Sequence, residues 1–123
     1  MIPVIGHGAI RRELRALAAS GEPPHALMLA GQDGSGRRLL ALEFAALLNC
    51  EAPSFDARPC GVCRACRLIA AGGHPDVVHL APGDVLCKPR PGESGHEPHP
   101  ESRDIRICQI RRLIEAVARY PFE

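Results

Sequence analysis

The sequence predicts an α/β fold with a parallel sheet, and three features of the chain lead to this prediction. Residues 26–30 (ALMLA) form a short, wholly apolar run between turn residues, which is typical of a buried parallel strand. A glycine-rich turn at 31–36 follows, and apolar residues then recur at helical spacing up to Asn49. Residues 76–81 (DVVHLA) contain β-branched side chains and predict a second strand. Strand, turn, helix and strand in this order are the parts of a βαβ unit.

Three further helices are predicted from the spacing of apolar residues. The first covers residues 9–19. Its arginines fall mostly on the side opposite to its apolar residues: Arg11, Arg12 and Arg15. A short helix at about 64–71 is expected to end at the two glycines that follow it. The last helix is expected from residue 105 to about 119, with Asp104 as its N-cap.

Residues 82–103 predict a long, exposed loop, because this stretch holds five prolines and three glycines. Two predicted strands are few for an independent fold, and the chain stops just after a helix. We therefore expect residues 1–123 to be a partial domain, either an N-terminal fragment or a truncated gene product. Residues 50–66 are expected to form a metal-binding module within it.

The composition excludes several classes of protein. Apolar residues make up 46% of the chain, which is enough for a core, while aromatic residues make up only 3%. Fifteen basic residues against 14 acidic ones give no overall attraction to nucleic acid or membranes. No apolar run approaches the roughly 20 residues that cross a membrane, and the N-terminus lacks the apolar core of a signal peptide. A cytoplasmic location is therefore expected.

Four closely spaced cysteines predict a structural metal site. Cys50, Cys60, Cys63 and Cys66 lie within 17 residues, and in a cytoplasmic protein such spacing indicates a metal rather than disulfides. Four thiolates complete a tetrahedral zinc site and leave no position for water, so zinc would pin the loop without catalysing a reaction. An iron–sulfur cluster would usually have a further cysteine near position 70, but Ala70 stands there, which favours zinc. Free thiols, or a ligand set that includes a histidine, are the alternatives.

The glycine-rich turn has the spacing of a phosphate-binding loop without its chemistry. The motif GxxxxGK[ST] uses its lysine to reach the phosphates and its hydroxyl to hold Mg²⁺. Gly31 and Gly36 have the required spacing, with Gly34 between them, but Arg37 replaces the lysine and Arg38 replaces the hydroxyl residue. Arginine is not equivalent to lysine at a packed site, and it cannot hold Mg²⁺. We expect no ATP hydrolysis here; a purely structural connection and weak phosphate binding are the alternatives.

The order of these motifs resembles the N-terminal half of the AAA+ domain of bacterial DNA polymerase III clamp-loader subunits. The similar segments are VIGH, HALMLAG with the turn after it, LLNC with the CxxCxxC run, GGHPDVVHL and IRICQIRRLIEAVARYPFE. They cover nearly the whole chain except residues 82–102, where the loop looks longer than the family pattern. The resemblance implies a P-loop (AAA+) parallel-sheet domain with an inserted four-cysteine zinc module.

Within this family, the two arginines of the turn favour the δ′ type, in which the phosphate loop is commonly degraded and the subunit acts as a rigid stator. The resemblance implies a non-catalytic part of the DNA polymerase III holoenzyme that helps to load the sliding clamp onto primed DNA. Its implied partners are the δ and γ/τ subunits, and the clamp and DNA through the complex. The family's arginine-finger and Walker B segments would lie beyond residue 123.

Two other functions stay open on the sequence. A γ/τ-type ATPase would have to tolerate Arg37, and it would lack the Mg²⁺ ligand. A stand-alone zinc module that binds nucleic acid is weakened by the near-neutral charge and the few aromatic residues. That alternative is supported by three arginines around the cysteines: Arg58, Arg64 and Arg67.

Overall fold

Four α-helices make up the regular structure of residues 4–83 and 101–118, the parts of the chain that the computed structural model describes. In chain order they are α1 (Gly8–Ala19), α2 (Arg37–Asn49), α3 (Arg64–Ala71) and α4 (Ile107–Val117), with a 3-10 turn at Phe55–Ala57. The helices predicted at 9–19, up to Asn49 and at 64–71 are confirmed. The chain divides into two compact units, residues 1–77 and 78–123.

The first unit contains α1, α2 and α3, and an apolar cluster joins α1 to α2. Its buried members are Val4, Leu14 of α1 and Leu40 of α2. The two leucines are 5% and 3% exposed. Removing a leucine side chain of this kind from water stabilises a fold by about 1.5–3 kcal/mol. The cluster therefore holds α1 against α2 close to the glycine-rich turn.

A second apolar cluster joins α2 to α3 and includes two of the cysteines. Ala46 of α2 and Ile69 of α3 pack with Cys50 and Cys66, and all four residues are at most 3% exposed. A free cysteine behaves as a small apolar residue when it is packed in this way. The cysteine cluster is therefore continuous with the core of the first unit.

A partly buried ion pair adds a polar contact between α1 and α2. Glu43 is 7% exposed and accepts hydrogen bonds from Arg11 Nε to Oε1 at 3.0 Å, from Nε to Oε2 at 3.2 Å and from Nη2 to Oε1 at 2.8 Å. Such paired donation to a carboxylate is among the stronger hydrogen-bond arrangements in proteins. The predicted placement of the α1 arginines away from the apolar side is incomplete, because Arg11 and Arg15 are partly buried.

Neither predicted strand is formed in the described residues. Segments 26–30 and 76–81 have no strand assignment, and no ladder of backbone hydrogen bonds joins either of them to a neighbour in those residues. A strand needs a paired neighbour, whereas an apolar run only shows that a segment would suit a buried strand. Leu27 is 43% exposed and Met28 is 89% exposed, so the described residues leave most of the first run uncovered. The predicted parallel sheet is therefore not confirmed.

The second unit is described mainly through α4, and the predicted start of this helix is wrong. The helix begins at Ile107, with Arg106 as its N-cap, rather than at residue 105 after an Asp104 cap. Asp104 takes part in a separate turn, where its N–H donates to Ser102 Oγ at 3.3 Å. The part of the predicted helix after residue 118 lies outside the described residues, as do residues 84–100 of the predicted loop.

A buried glutamine explains where α4 starts. Gln109 is 1% exposed, and its Oε1 accepts a hydrogen bond from the Arg106 N–H at 2.8 Å. Its Nε2 donates to the carbonyl oxygen of Ala81 at 2.8 Å. The bond from the Arg106 N–H is a capping bond, and it fits a helix that begins directly after Arg106. The bond to Ala81, 28 residues away in sequence, satisfies the other end of the buried amide.

None of the helices in residues 4–83 and 101–118 is long and apolar enough to cross a membrane.

Candidate metal centre

The first unit brings the four predicted metal ligands together from two helices and the segment between them. Cys50 directly follows the last residue of α2, and Cys63 is the N-cap of α3. Cys60 lies in the bend just before α3, and Cys66 lies in the first helical turn of α3. The sulfur atoms all lie within 4.8 Å of one another. The structure thus collects the predicted ligand set at one point.

The spacing of the sulfur atoms fits a tetrahedral metal ion. Zinc–sulfur bonds of about 2.3 Å in a regular tetrahedron place neighbouring sulfurs roughly 3.8 Å apart. Cys63 Sγ lies 4.0 Å from Cys50 Sγ, close to that separation. Disulfide-bonded sulfurs would be about 2 Å apart, whereas all four of these cysteines are free thiols. The donor set and its geometry therefore suit a thiolate-bound metal.

Backbone N–H groups donate hydrogen bonds to three of the sulfur atoms. The donors and acceptors are Ala52 N to Cys50 Sγ at 3.5 Å, Cys60 N to Cys50 Sγ at 3.4 Å, Cys63 N to Cys60 Sγ at 3.3 Å and Cys66 N to Cys63 Sγ at 3.4 Å. A hydrogen bond donated to sulfur favours the thiolate, which is the form that binds a metal. Tight turns around the cysteines therefore prepare the ligands as well as position them.

Backbone hydrogen bonding lowers the pKa of a thiol in this cluster, whereas burial raises it. The N–H of Cys63 is the main cause that lowers the pKa of Cys60 to about 6, and the N–H of Cys66 lowers the pKa of Cys63. Burial raises the pKa of Cys66 to about 12, since a thiolate is unfavourable in an apolar place. A divalent cation held by the four sulfurs would supply the positive charge that a buried thiolate needs.

The predicted nucleotide-loop glycines lie in the turn that leads into α2. Gly34 has a φ of 79° and Gly36, the N-cap of α2, has a φ of 86°; both lie in the left-handed region that favours glycine. A Cβ atom on Gly31 would lie only 2.9 Å from Ser35 Oγ, so the backbone approaches this side chain closely. The turn borders a cavity of about 560 Å³. Its backbone shape is that of a tight turn leading into α2.

The two arginines at the start of α2 do not converge on the turn as a pair of free cations. Arg37 Nη2 donates to Asp33 Oδ1 at 2.9 Å, so its charge is shared with a carboxylate of the turn itself. Arg38 is exposed. An incoming phosphate would compete with Asp33 for Arg37 and would be repelled by the same carboxylate. The turn therefore offers a phosphate less positive charge than its two arginines suggest.

Sequence reasoning missed one residue that contacts the loop between two of the predicted metal ligands. Arg15 of α1 donates hydrogen bonds to backbone carbonyls between Cys50 and Cys60. The available signal was its position four residues after Arg11, next to the buried Leu14. Residues i and i+4 lie on the same face of a helix. Two arginines at this spacing beside an apolar stripe can pack their stems on the stripe and contact neighbouring elements with their charged ends.

Comparison with known proteins places the chain among DNA polymerase III subunits. The family model for the DNA polymerase III delta subunit matches residues 6–123. The DNA polymerase III subunit delta′ of Pseudomonas aeruginosa is 37% identical over 98 residues, which cover 80% of this chain and 25% of the relative. The delta′ subunit of Escherichia coli is also 37% identical, over 59% of this chain and 22% of its own length.

A tau subunit is also similar to the chain. The DNA polymerase III subunit tau of Bacillus subtilis is 32% identical over 63% of this chain and 14% of its own length. No solved structure gives a significant match. This chain spans about a quarter or less of the length of each of these relatives. Because the family model covers nearly all of the chain, the chain belongs to the DNA polymerase III delta subunit family.

Proposed function

We propose that this chain is a clamp-loader subunit of the δ′ type, which helps to load the sliding clamp onto primed DNA during replication without hydrolysing ATP itself. The membership of the family supports the replication role. The observation that carries the non-catalytic assignment is Arg38, which stands where a phosphate-binding loop needs a hydroxyl ligand for Mg²⁺. Phosphoryl transfer needs that cation to neutralise the charge that develops on the phosphates.

The state of Arg37 supports the same assignment. Its hydrogen bond to Asp33 at 2.9 Å occupies the cation that would have to replace the motif's lysine. In the turn formed by Gly31, Gly34 and Gly36, a nucleotide would therefore meet an acidic group and an arginine paired with it, and no hydroxyl at position 38 to hold Mg²⁺. ATP binding is accordingly proposed to be weak or absent at this site.

We further propose zinc as the ion held by Cys50, Cys60, Cys63 and Cys66, with a structural role. Four sulfur donors within 4.8 Å of one another match the ligand set of closed tetrahedral zinc sites. Such an ion would have no open position for a water molecule or a substrate. Bound zinc would join the end of α2 to the start of α3 and so complete the core of residues 50–66.

The wider architecture is part of this proposal. Residues 1–123 would be the N-terminal part of an AAA+ domain with a parallel sheet, to which segments 26–30 and 76–81 would each contribute a strand. The partners would be the δ and γ/τ subunits, with the clamp and primed DNA reached through the assembled complex, in the cytoplasm. The family membership supports this view, and co-elution of the chain with purified δ and γ/τ subunits in size-exclusion chromatography tests it.

A calorimetric titration of ATP with Mg²⁺ into the zinc-loaded chain tests the non-catalytic assignment. We expect no heat of binding at millimolar ATP, and no phosphate release over a day. Circular dichroism and a zinc assay on the same sample show that the protein is folded and loaded. Mg²⁺-dependent binding at micromolar ATP would contradict the proposal and would place the chain with the γ/τ-type ATPases, which the similarity to a tau subunit keeps as the second candidate.

A further inference from the structure

The loop between the first and second cysteines is held from outside by α1. Arg15 Nη1 donates to the carbonyl oxygen of Arg58 at 2.6 Å, and Nη2 donates to the carbonyl oxygen of Phe55 at 3.3 Å. The same guanidinium lies 5.5 Å from the centre of the Phe55 ring. One side chain of α1 thus contacts the 51–59 loop through two carbonyls and an aromatic ring.

These contacts are of a kind that orients a backbone. A charged donor makes shorter and stronger hydrogen bonds to a carbonyl than a neutral one does. The guanidinium is planar and presents its N–H groups in a fixed fork, so two simultaneous bonds define the direction of both carbonyls. Arg15 is partly buried, which protects these bonds from competition by water.

One of the two fixed carbonyls lies close before a proposed metal ligand. Residue 58 is two positions before Cys60, and Cys60 N donates to Cys50 Sγ at 3.4 Å. The side chain of Arg58 turns back across the loop, where its Nε donates to the carbonyl oxygen of Ala52 at 2.8 Å. The loop is therefore closed on itself by Arg58 and attached to α1 by Arg15.

We propose that Arg15 is a positioning residue for the metal centre. By holding the carbonyls of Phe55 and Arg58, it keeps the 51–59 loop in the shape that brings Cys60 against Cys50. The four sulfurs are then gathered before the ion arrives, and less order has to be imposed when it binds. This inference rests on the proposed metal-binding function of the four cysteines.

The chain offers a matched control on the same helix. Arg12 is exposed and lies three residues before Arg15, so Arg12→Met removes the same charge from α1 and leaves the loop contacts intact. Arg15→Met keeps an apolar stem but removes both donors. Arg15→Lys keeps a charge that can reach one carbonyl but cannot reproduce the two-pronged donation.

The test measures zinc affinity of the full chain by competition with a chromophoric chelator. Substituting a residue that orients metal ligands without binding the metal typically lowers metal affinity about 10–100-fold. We expect a loss in this range, about 10–100-fold, for Arg15→Met. Arg15→Lys should recover part of the loss, and Arg12→Met should stay within about twofold of the unchanged protein. If the zinc affinity of Arg15→Met equals that of the unchanged protein, the inference is overturned.

A spectroscopic measurement separates positioning of the metal ligands from general support of the fold. Co²⁺ loaded in place of zinc reports its ligand geometry through its visible absorption bands. We expect these bands to shift or weaken in the folded Arg15→Met variant and to match the unchanged protein in Arg12→Met. Bands identical in both variants would show that Arg15 supports the fold without positioning the ligands, and would overturn the inference.

Two further outcomes are also decisive. If Arg15→Met does not fold, Arg15→Lys is used in the same titrations, and a zinc affinity equal to that of the unchanged protein overturns the inference. If the unchanged chain binds neither zinc nor Co²⁺, the proposed metal function itself fails, and the inference fails with it. A chain that binds zinc and is insensitive to Arg15 loses only the inference.

Discussion

Removing either member of the buried Arg11–Glu43 pair should have unequal effects on stability. The carboxylate side chain of Glu43 is 9% exposed, whereas the side chain of Arg11 is 39% exposed. Arg11→Met leaves a buried carboxylate without its cation. Glu43→Gln leaves an arginine that water can reach. We therefore expect Arg11→Met to destabilise the first unit more than Glu43→Gln does.

The magnitudes follow from the three hydrogen bonds and the exposure of each partner. Breaking a buried ion pair by removing one partner costs about 3–5 kcal/mol. Water can enter from the Arg11 side, so we expect about 3 kcal/mol for Arg11→Met. In Glu43→Gln the amide oxygen can still accept from Arg11, and the lost charge assistance costs about 1–1.5 kcal/mol. Against a typical total stability of about 5–15 kcal/mol, both effects are measurable.

Urea unfolding of the zinc-loaded chain, followed by circular dichroism, measures these changes. Arg12→Met is the control, because Arg12 is exposed and lies beside Arg11 in sequence. It should change the free energy of unfolding by less than about 0.5 kcal/mol. The slope of the unfolding free energy against urea concentration should stay the same in all variants, so that shifts of the midpoint report changes in stability.

The opposite order of the two effects would refute this reasoning. If Glu43→Gln lowered the free energy of unfolding as much as Arg11→Met does, an unpaired carboxylate at position 43 would not be more destabilising than an unpaired arginine at position 11. If both variants cost less than 0.5 kcal/mol, the three hydrogen bonds would contribute no net stability, and α1 would be held on α2 by its apolar contacts alone.

Two further predictions concern the metal centre and the second unit. Because burial raises the pKa of Cys66 to about 12, metal binding near neutral pH must release the proton of this thiol. Zinc affinity should therefore rise at least about tenfold per pH unit from pH 6 to 8 in chelator competition, and an affinity independent of pH would contradict this. Gln109→Leu removes the hydrogen bonds of the buried amide to Ala81 and Arg106. It should therefore lower the free energy of unfolding, measured by urea titration, by about 1–3 kcal/mol. An unchanged midpoint would contradict this.

The cysteine cluster and three of the helices could be predicted because their signals are local. The spacing of Cys60, Cys63 and Cys66 is short enough that one turn and the start of α3 bring them together once these elements form. Apolar residues at helical spacing predicted the helices of the first unit because i, i+3 and i+4 contacts lie within the same segment. The roles assigned to the residues of the glycine-rich turn stay predictions, since sequence spacing describes its shape and not its ligand.

The contacts that bridge the elements depend on the tertiary structure. Arg11 and Glu43 are 32 residues apart, and Arg15 is 43 residues from the carbonyl that it holds at Arg58. In the sequence these arginines resemble the exposed Arg12, and only the packing of α1 on α2 and on the 51–59 loop separates the three. The predicted strands are not formed within residues 4–83 and 101–118 for a related reason, because a strand exists only when a distant segment pairs with it. From the sequence alone, the grouping of the four cysteines and the first three helices could be predicted, since both need only local periodicity and spacing. Which charges are buried follows from the tertiary structure, because burial depends on neighbours that are distant along the chain.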